Sequence, residues 1–198
     1  MKILVTAFDP FGGESLNPAQ LAVEQLPQQI NGHEIVKLIV PTIFGASGDL
    51  VTAKMDEISP NAVVCIGQAG TRTAITPERV AINIMDATIP DNAGFIPHDV
   101  PVIPGGPAAY FSTLPIKAMT AAINEAGIPG KISNTAGTFV CNQLLYRCLH
   151  HAEAHHPGCG CCFIHVPYIP AQVIEKPGVF AMDLADIVKG LTAAISAL

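Results

Sequence analysis

Short apolar runs alternate with stretches of helical periodicity through the first third of the chain, and this alternation restricts the fold more than any other feature. Ile3-Leu4-Val5 and Val63-Val64-Cys65-Ile66 carry no polar interruption. That is the pattern of strands covered on both faces. Residues 35–40 read as a further strand, closed by Pro41. Between these runs, Asn17 is placed to cap a helix with Pro18 at its first position,. Residues 45–58 give a second helix, with Pro60-Asn61 as the turn out of it. Strand alternating with helix predicts a mostly parallel sheet with right-handed crossovers. In such sheets a site lies beyond the carboxyl ends of the strands. The loops after the first strand and after Gly67 are therefore the ones that matter.

The second half is less regular. Residues 79–86 read as a strand, and residues 89–107, rich in Pro, Gly, Asp and Asn, as an excursion from the alternation. A helix is expected over 113–126, with Pro115 in its first turn and Gly127 as its stop,. Residues 131–133 read as a short strand, 141–156 as a helix, 162–166 as a strand, and Asp183 as the cap of a last helix reaching Leu198. No repeat and no linker interrupts the chain, so one domain over 1–198 is expected.

Charged residues make up only 13% of the chain against 49% hydrophobic residues. That charge fraction is about half the usual value, and it predicts an uncharged surface partly covered in an oligomer. A net charge of −6 argues against nucleic acid and anionic membranes as partners,. The start, MKILVTAFDP, reads as a first strand rather than a signal peptide, and no run approaches the roughly 18 apolar residues of a membrane span,. A cytoplasmic protein is expected. Without a secretion signal, the six cysteines do not imply disulfides,. Cys159, Cys161 and Cys162 stand near His150, His151, His155 and His156, but Cys-x-Cys-Cys lacks the paired spacing of a structural zinc site,. The expectation is no metal and no cofactor.

The stretch SNTAGTFVCNQ, residues 133–143, places a turn at Gly137 ahead of a helix with Cys141 in its first turns. Free N–H groups and the positive end of the helix dipole gather at such a place. They predict a thiol pKa lowered toward neutral, and so a nucleophile. The competing reading is a small buried apolar residue. A cysteine nucleophile needs a base. His165, in FIHVPYIP, stands at the carboxyl edge of a core strand; the competing reading is a buried histidine bonded to a backbone carbonyl. Glu78, in ITPERVAIN, is the carboxylate placed to orient that imidazole, or else a surface partner of Arg79,.

Four blocks settle between these readings. FDPFGGESLNP (8–18), CIGQAGTRTAITPERVAIN (65–83), SNTAGTFVCNQ (133–143) and FIHVPYIP (163–170) resemble, in order, the signatures of the pyroglutamyl peptidase I family, also called pyrrolidone carboxyl peptidases. The resemblance implies a metal-independent cysteine exopeptidase that releases N-terminal pyroglutamate from peptides through a thioester. It implies Cys141, His165 and Glu78 as the triad. Phe8, Phe11 and Phe139 would wall the pocket, with Gln68 a polar contact and Val140 continuing the wall. The implied fold is a three-layer α/β/α sandwich with a mixed, mostly parallel sheet, similar to purine nucleoside phosphorylases, in a homotetramer. The chain departs from the family pattern at Thr71, where a glycine is usual, and at Thr88, where an arginine is common. The second departure makes a catalytically weakened pyroglutamyl-peptide-binding homologue the alternative, with the positive contribution shifted to Arg72 or Arg79.

Overall fold

The computed structural model describes residues 1–198. Its centre is a six-stranded sheet. The strands are β1 (Lys2–Phe8), β2 (Gln29–Ile30), β3 (His33–Val40), β4 (Ala62–Gln68), β5 (Thr76–Pro77) and, after a separate two-stranded ribbon of β6 (Val80–Ile82) and β7 (Ala109–Phe111), β8 (Gly160–Val166). The order is β2-β3-β1-β4-β8-β5. The four middle strands run parallel, and the two short outer strands pair antiparallel to them. The β2–β3 hairpin turns on Asn31 and Gly32, both at positive φ, which is the dipeptide that a two-residue hairpin loop favours,.

The continuous apolar runs are explained by two cores. Ile3, Val5, Ala7, Val64, Ile66, Cys162, Ile164 and Val166 face one layer of helices, α1 (Pro18–Gln25), α3 (Ile116–Glu125) and α5 (Leu184–Ser196). Leu4, Phe8, Val63, Cys65, Cys161 and Phe163 face the other layer, α2 (Ala46–Ile58) and α4 (Val140–His155). Each strand must be apolar at every position because both of its faces are covered. Full burial of each Val, Leu or Ile contributes about 1.5–3 kcal/mol. The mixed, mostly parallel three-layer sandwich expected from the sequence is the fold observed.

Helix α1 starts as the sequence suggests: the Asn17 side chain accepts from the Ala19 N–H, 3.0 Å away, with Pro18 behind it. Other boundaries differ. Residues 131–133 are not a continuous strand, although residues 130–133 run parallel beside 75–78 in a single register, through the bridges Ile75–Gly130 and Glu78–Ser133; Pro77, which lies between these bridges, has no N–H to complete the ladder,. The expected strand over 79–86 is confined to Val80–Ile82, and α3 begins at Ile116 rather than at 113. In the excursion, Met85 bridges to Val100, and the chain then returns to pair β7 with β6. Asp183 stands at the start of α5 but makes no side-chain cap bond. No helix is long and apolar enough to cross a membrane.

Candidate active site

Side chains alternate along a strand, so residue parity decides which layer each one meets. On β8 the odd residues 161 and 163 face α4, and His165 follows them on the same side. The rings of Phe163 and His165 lie 4.7 Å apart. In the parallel register with β4, His165 stands opposite Gly67. A Cβ at Gly67 would lie 3.2 Å from the Cys141 sulfur and 2.6 Å from a Phe163 ring carbon. The missing side chain at 67 is therefore the space into which α4 brings its thiol, beside the strand position of the imidazole. Gly67→Ala is expected to displace either Cys141 or Phe163 and to lower turnover by roughly 100-fold or more, since misplacement by about 1 Å costs that much. Steady-state kinetics on a folded variant checks it, and near-normal turnover would mean that this space is not used.

Glu78 reaches the other side of His165. Strand β5 pairs Thr76 with His165, and the Glu78 N–H donates to the Phe163 carbonyl at 2.8 Å. The Glu78 side chain is 0% exposed, and its Oε1 lies 2.7 Å from His165 Nδ1. An ionised carboxylate only accepts, so Nδ1 carries the hydrogen and Nε2 is left as the basic nitrogen. Glu78 is no surface partner of Arg79, whose Nε donates to Asn134 Oδ1 at 2.8 Å. Arg72 takes that place instead: its Nη2 lies 3.3 Å from Glu78 Oε1 and also donates to Ser133 Oγ and the Thr135 carbonyl, at 2.9 and 3.0 Å. The second carboxylate oxygen, Oε2, is buried without a partner.

Gly137, at φ 76°, turns the chain into α4. The N-cap is Phe139, whose side chain cannot accept a hydrogen bond. The first bond back to it comes from Gln143 N–H at 3.2 Å, so the N–H groups of Val140, Cys141 and Asn142 have no acceptor one turn earlier,. The Asn142 side chain fixes the helix laterally by accepting from the Ile82 N–H at 2.9 Å and donating to the Ile82 and Ile84 carbonyls at 2.9 and 3.0 Å.

One expectation is overturned here. The helix start does not lower the Cys141 thiol; burial pushes it up to about 12, with the Glu78 charge adding to the rise. A backbone hydrogen bond acts the other way and is outweighed. Desolvation of a thiolate exceeds what one helix end supplies. A thiolate here thus requires the proton to pass to a neighbouring base, with the resulting cation as its counter-charge.

The aromatic residues sort into two groups. Phe11 and Phe139 are half-buried, with ring centroids 6.0 Å apart, and Phe44 meets Phe139 edge-on at 5.2 Å. Phe8 is only 2% exposed and packs on Phe163, so it backs the site from the core. The Val140 side chain is likewise fully buried, which leaves its backbone as the part able to face a ligand. Gln68 is buried, and its Oε1 accepts from Gln172 Nε2 at 2.9 Å. Phe44, Gly67, Arg72 as an ion-pair partner and Gln172 were not legible as neighbours of the site. Only Gly67, a glycine ending an apolar strand, carried a signal. Thr71 and Thr88 are both exposed.

The cysteine-rich loop splits its sulfurs, with Cys159 and Cys161 packed in one core and Cys162 in the other. Cys161 and Cys162 are buried on opposite faces of β8, and all six cysteines are free.

The sequence model of a family described as pyroglutamyl peptidase matches residues 1–198. A pyrrolidone-carboxylate peptidase of Streptococcus pyogenes serotype M12 is 54% identical over 198 residues, covering 100% of this chain and 92% of that one. The crystal structure of pyroglutamyl peptidase I from Bacillus amyloliquefaciens superposes with a TM-score of 0.93 at 45% identity, covering 98% of this chain and 94% of the other. A mutant pyrrolidone carboxyl peptidase from the hyperthermophile Pyrococcus furiosus gives 0.95 at 40% identity, with 100% and 97% covered.

Proposed function

The chain belongs to the pyroglutamyl peptidase family, and from that premise we propose that it is a cysteine exopeptidase that hydrolyses the bond after an N-terminal pyroglutamyl residue. Cys141 is its nucleophile, His165 its general base and acid, and Glu78 the carboxylate that orients and supports the imidazole. The observation that carries this reading is the 2.7 Å contact of Glu78 Oε1 with His165 Nδ1, set opposite the glycine gap that holds the Cys141 sulfur.

His165 Nε2 takes the thiol proton, and the sulfur attacks the pyroglutamyl carbonyl carbon. The C–N bond then breaks, and the imidazolium gives its proton to the departing amine. Negative charge on the carbonyl oxygen is met by N–H groups of the first turn of α4, Cys141 among them, which no side chain caps,. Water, deprotonated by His165, attacks the thioester and frees pyroglutamate. Glu78 favours the imidazolium during both steps, and Arg72 holds the carboxylate in place. No metal or cofactor has a part in this scheme.

The pyroglutamyl ring is flat, small and uncharged, and it suits the half-buried aromatic surface that the packed rings of Phe11 and Phe139 present,. The Val140 backbone serves its lactam, and Phe8 and Gln68 support the walls from behind. Proline lacks the lactam oxygen, and an N-terminal proline also carries a charged amine. Its admission would leave buried donors unpaired and bring a charge into an apolar cleft. The test compares a pyroglutamyl with a prolyl chromogenic amide. Turnover of the first, with discrimination of roughly 10⁴ or more against the second, is the expected result. Equal rates, or no hydrolysis of either in the presence of a reductant, would end the reading.

The same premise extends to a single catalytic domain over 1–198, a homotetramer and a cytoplasmic location. Exposed Ile174 and Phe111, at 83% and 69%, support a surface partly covered by other subunits,. Sedimentation velocity measures that assembly.

A further inference from the structure

Far from Cys141, the C-terminal ends of α2 and α4 bring together three groups that the peptidase chemistry does not use. His151 lies in the last turns of α4, and His156 is the residue that closes it. Asp56 comes from the last turn of α2. The Nε2 atoms of both imidazoles lie 2.8 Å from the same carboxylate oxygen, Asp56 Oδ1. The histidine side chains are largely covered, 19% and 14% exposed, while Asp56 is 57% exposed and opens the group to solvent. The two imidazoles hold the Asp56 carboxyl below its usual range, so it stands there as an anion.

We propose that Asp56, His151 and His156 form a binding site for a divalent transition metal, Zn²⁺ foremost, that clamps the end of α2 to the end of α4. Two imidazole nitrogens and one carboxylate oxygen are the donor set that zinc accepts with a fourth position left to water. The three ligand atoms lie within 4.8 Å of one another. A tetrahedral ion with bonds of about 2.0–2.1 Å needs its ligand atoms about 3.3 Å apart, so modest side-chain rotation opens the trio to that spread. In each neutral ring the hydrogen on Nε2 passes through solvent to Nδ1, which frees the Nε2 lone pair for the metal. Two hydrogen bonds to one oxygen are thereby replaced by three metal–ligand bonds. The motif is absent from the local sequence spacing because one ligand comes from α2, about 95 residues earlier in the chain,. It uses none of the cysteines at 159, 161 and 162.

Fifteen residues of helical rise, about 22 Å, separate this end of α4 from Cys141. A metal held here stabilises the helix pair without touching the thiol. Binding is best measured on full-length Cys141→Ser protein stripped with chelator, so that the catalytic sulfur does not compete. Isothermal titration with Zn²⁺ is expected to give one equivalent at micromolar affinity or better, with a rise in Tm. His151→Gln and His156→Gln are each expected to weaken binding by at least roughly 100-fold, with His155→Gln unchanged. Asp56→Asn, at an exposed position, gives the same loss with both histidines in place, so it serves should a histidine variant not fold. The Co²⁺ form is expected to show d–d absorption without a thiolate charge-transfer band. No binding by the parent, undiminished affinity in the double histidine variant, or a strong thiolate band would overturn the proposal.

Discussion

Cys141→Ser is expected to lower kcat/KM for a pyroglutamyl amide by roughly 10⁴-fold or more while leaving Tm within a few degrees of the parent. The exchange replaces one sulfur by one oxygen in a space that Gly67 already keeps open, so packing is little disturbed. The chemistry changes far more. Burial already pushes the thiol up to about 12, and a serine hydroxyl in the same place is harder still to ionise. The Glu78–His165 pair, matched to a thiol, lacks the driving force to take the hydroxyl proton. Kinetics and calorimetry on the same preparation separate the two effects. Retention of a tenth of the activity would remove Cys141 from the mechanism.

Alkylation gives the same conclusion from another side, if it is read site by site. Cys159 is half-buried, and its thiol is lowered by the hydrogen bond it shares with Cys161. It therefore competes for iodoacetamide without any catalytic role. Peptide mapping is expected to show that loss of activity follows modification of residue 141 alone.

The strands and their two-sided burial were legible because an interior sheet leaves no choice of residue type: Ile3-Leu4-Val5 and Val63-Val64-Cys65-Ile66 must be apolar on both faces,. Cys141 was legible as a residue at a helix start because Gly137 and the following periodicity mark that start locally. What sequence could not give depends on neighbours far along the chain. The direction of the Cys141 shift is set by how far α4, β4 and β8 cover the partly buried thiol, and nothing in residues 133–143 reports that. Glu78 beside Arg79 looks like a solvated pair until β5 is laid against β8, when the carboxylate goes inward and Arg79 outward. Residues 131–133 have the composition of a strand and run beside residues 75–79, but Pro77 there has no N–H and breaks the ladder into bridges,. The histidines at 151 and 156 invited a link to nearby cysteines, whereas their partner lies on another helix.

Glu78→Gln tests whether the buried carboxylate acts on the reaction or only on the fold. The amide keeps the shape of the side chain but loses its charge. Its carbonyl can still accept from His165 Nδ1–H, yet it no longer favours the imidazolium that both proton transfers require. Turned the other way, it donates to Nδ1 and enforces the wrong tautomer. A comparable change in a triad costs about 10⁴ in kcat, so a fall of roughly 10³–10⁴ is expected. It falls on kcat, with KM little changed, because Glu78 is fully buried behind His165 and is not placed to touch the peptide. Stability should move much less. Glu78 Oε2 has no partner, so neutralising the group also relieves a desolvation cost,. Arg72, left without its counter-charge, is 30% exposed and keeps Ser133 Oγ and the Thr135 carbonyl as acceptors. The remaining charge is hydrated rather than stranded, which avoids the large loss seen when one member of a fully buried pair is removed. A change within about 1–2 kcal/mol in denaturant unfolding is therefore expected. A variant that loses stability in proportion to activity would make Glu78 a structural group, and one with unaltered kcat would leave His165 working without it.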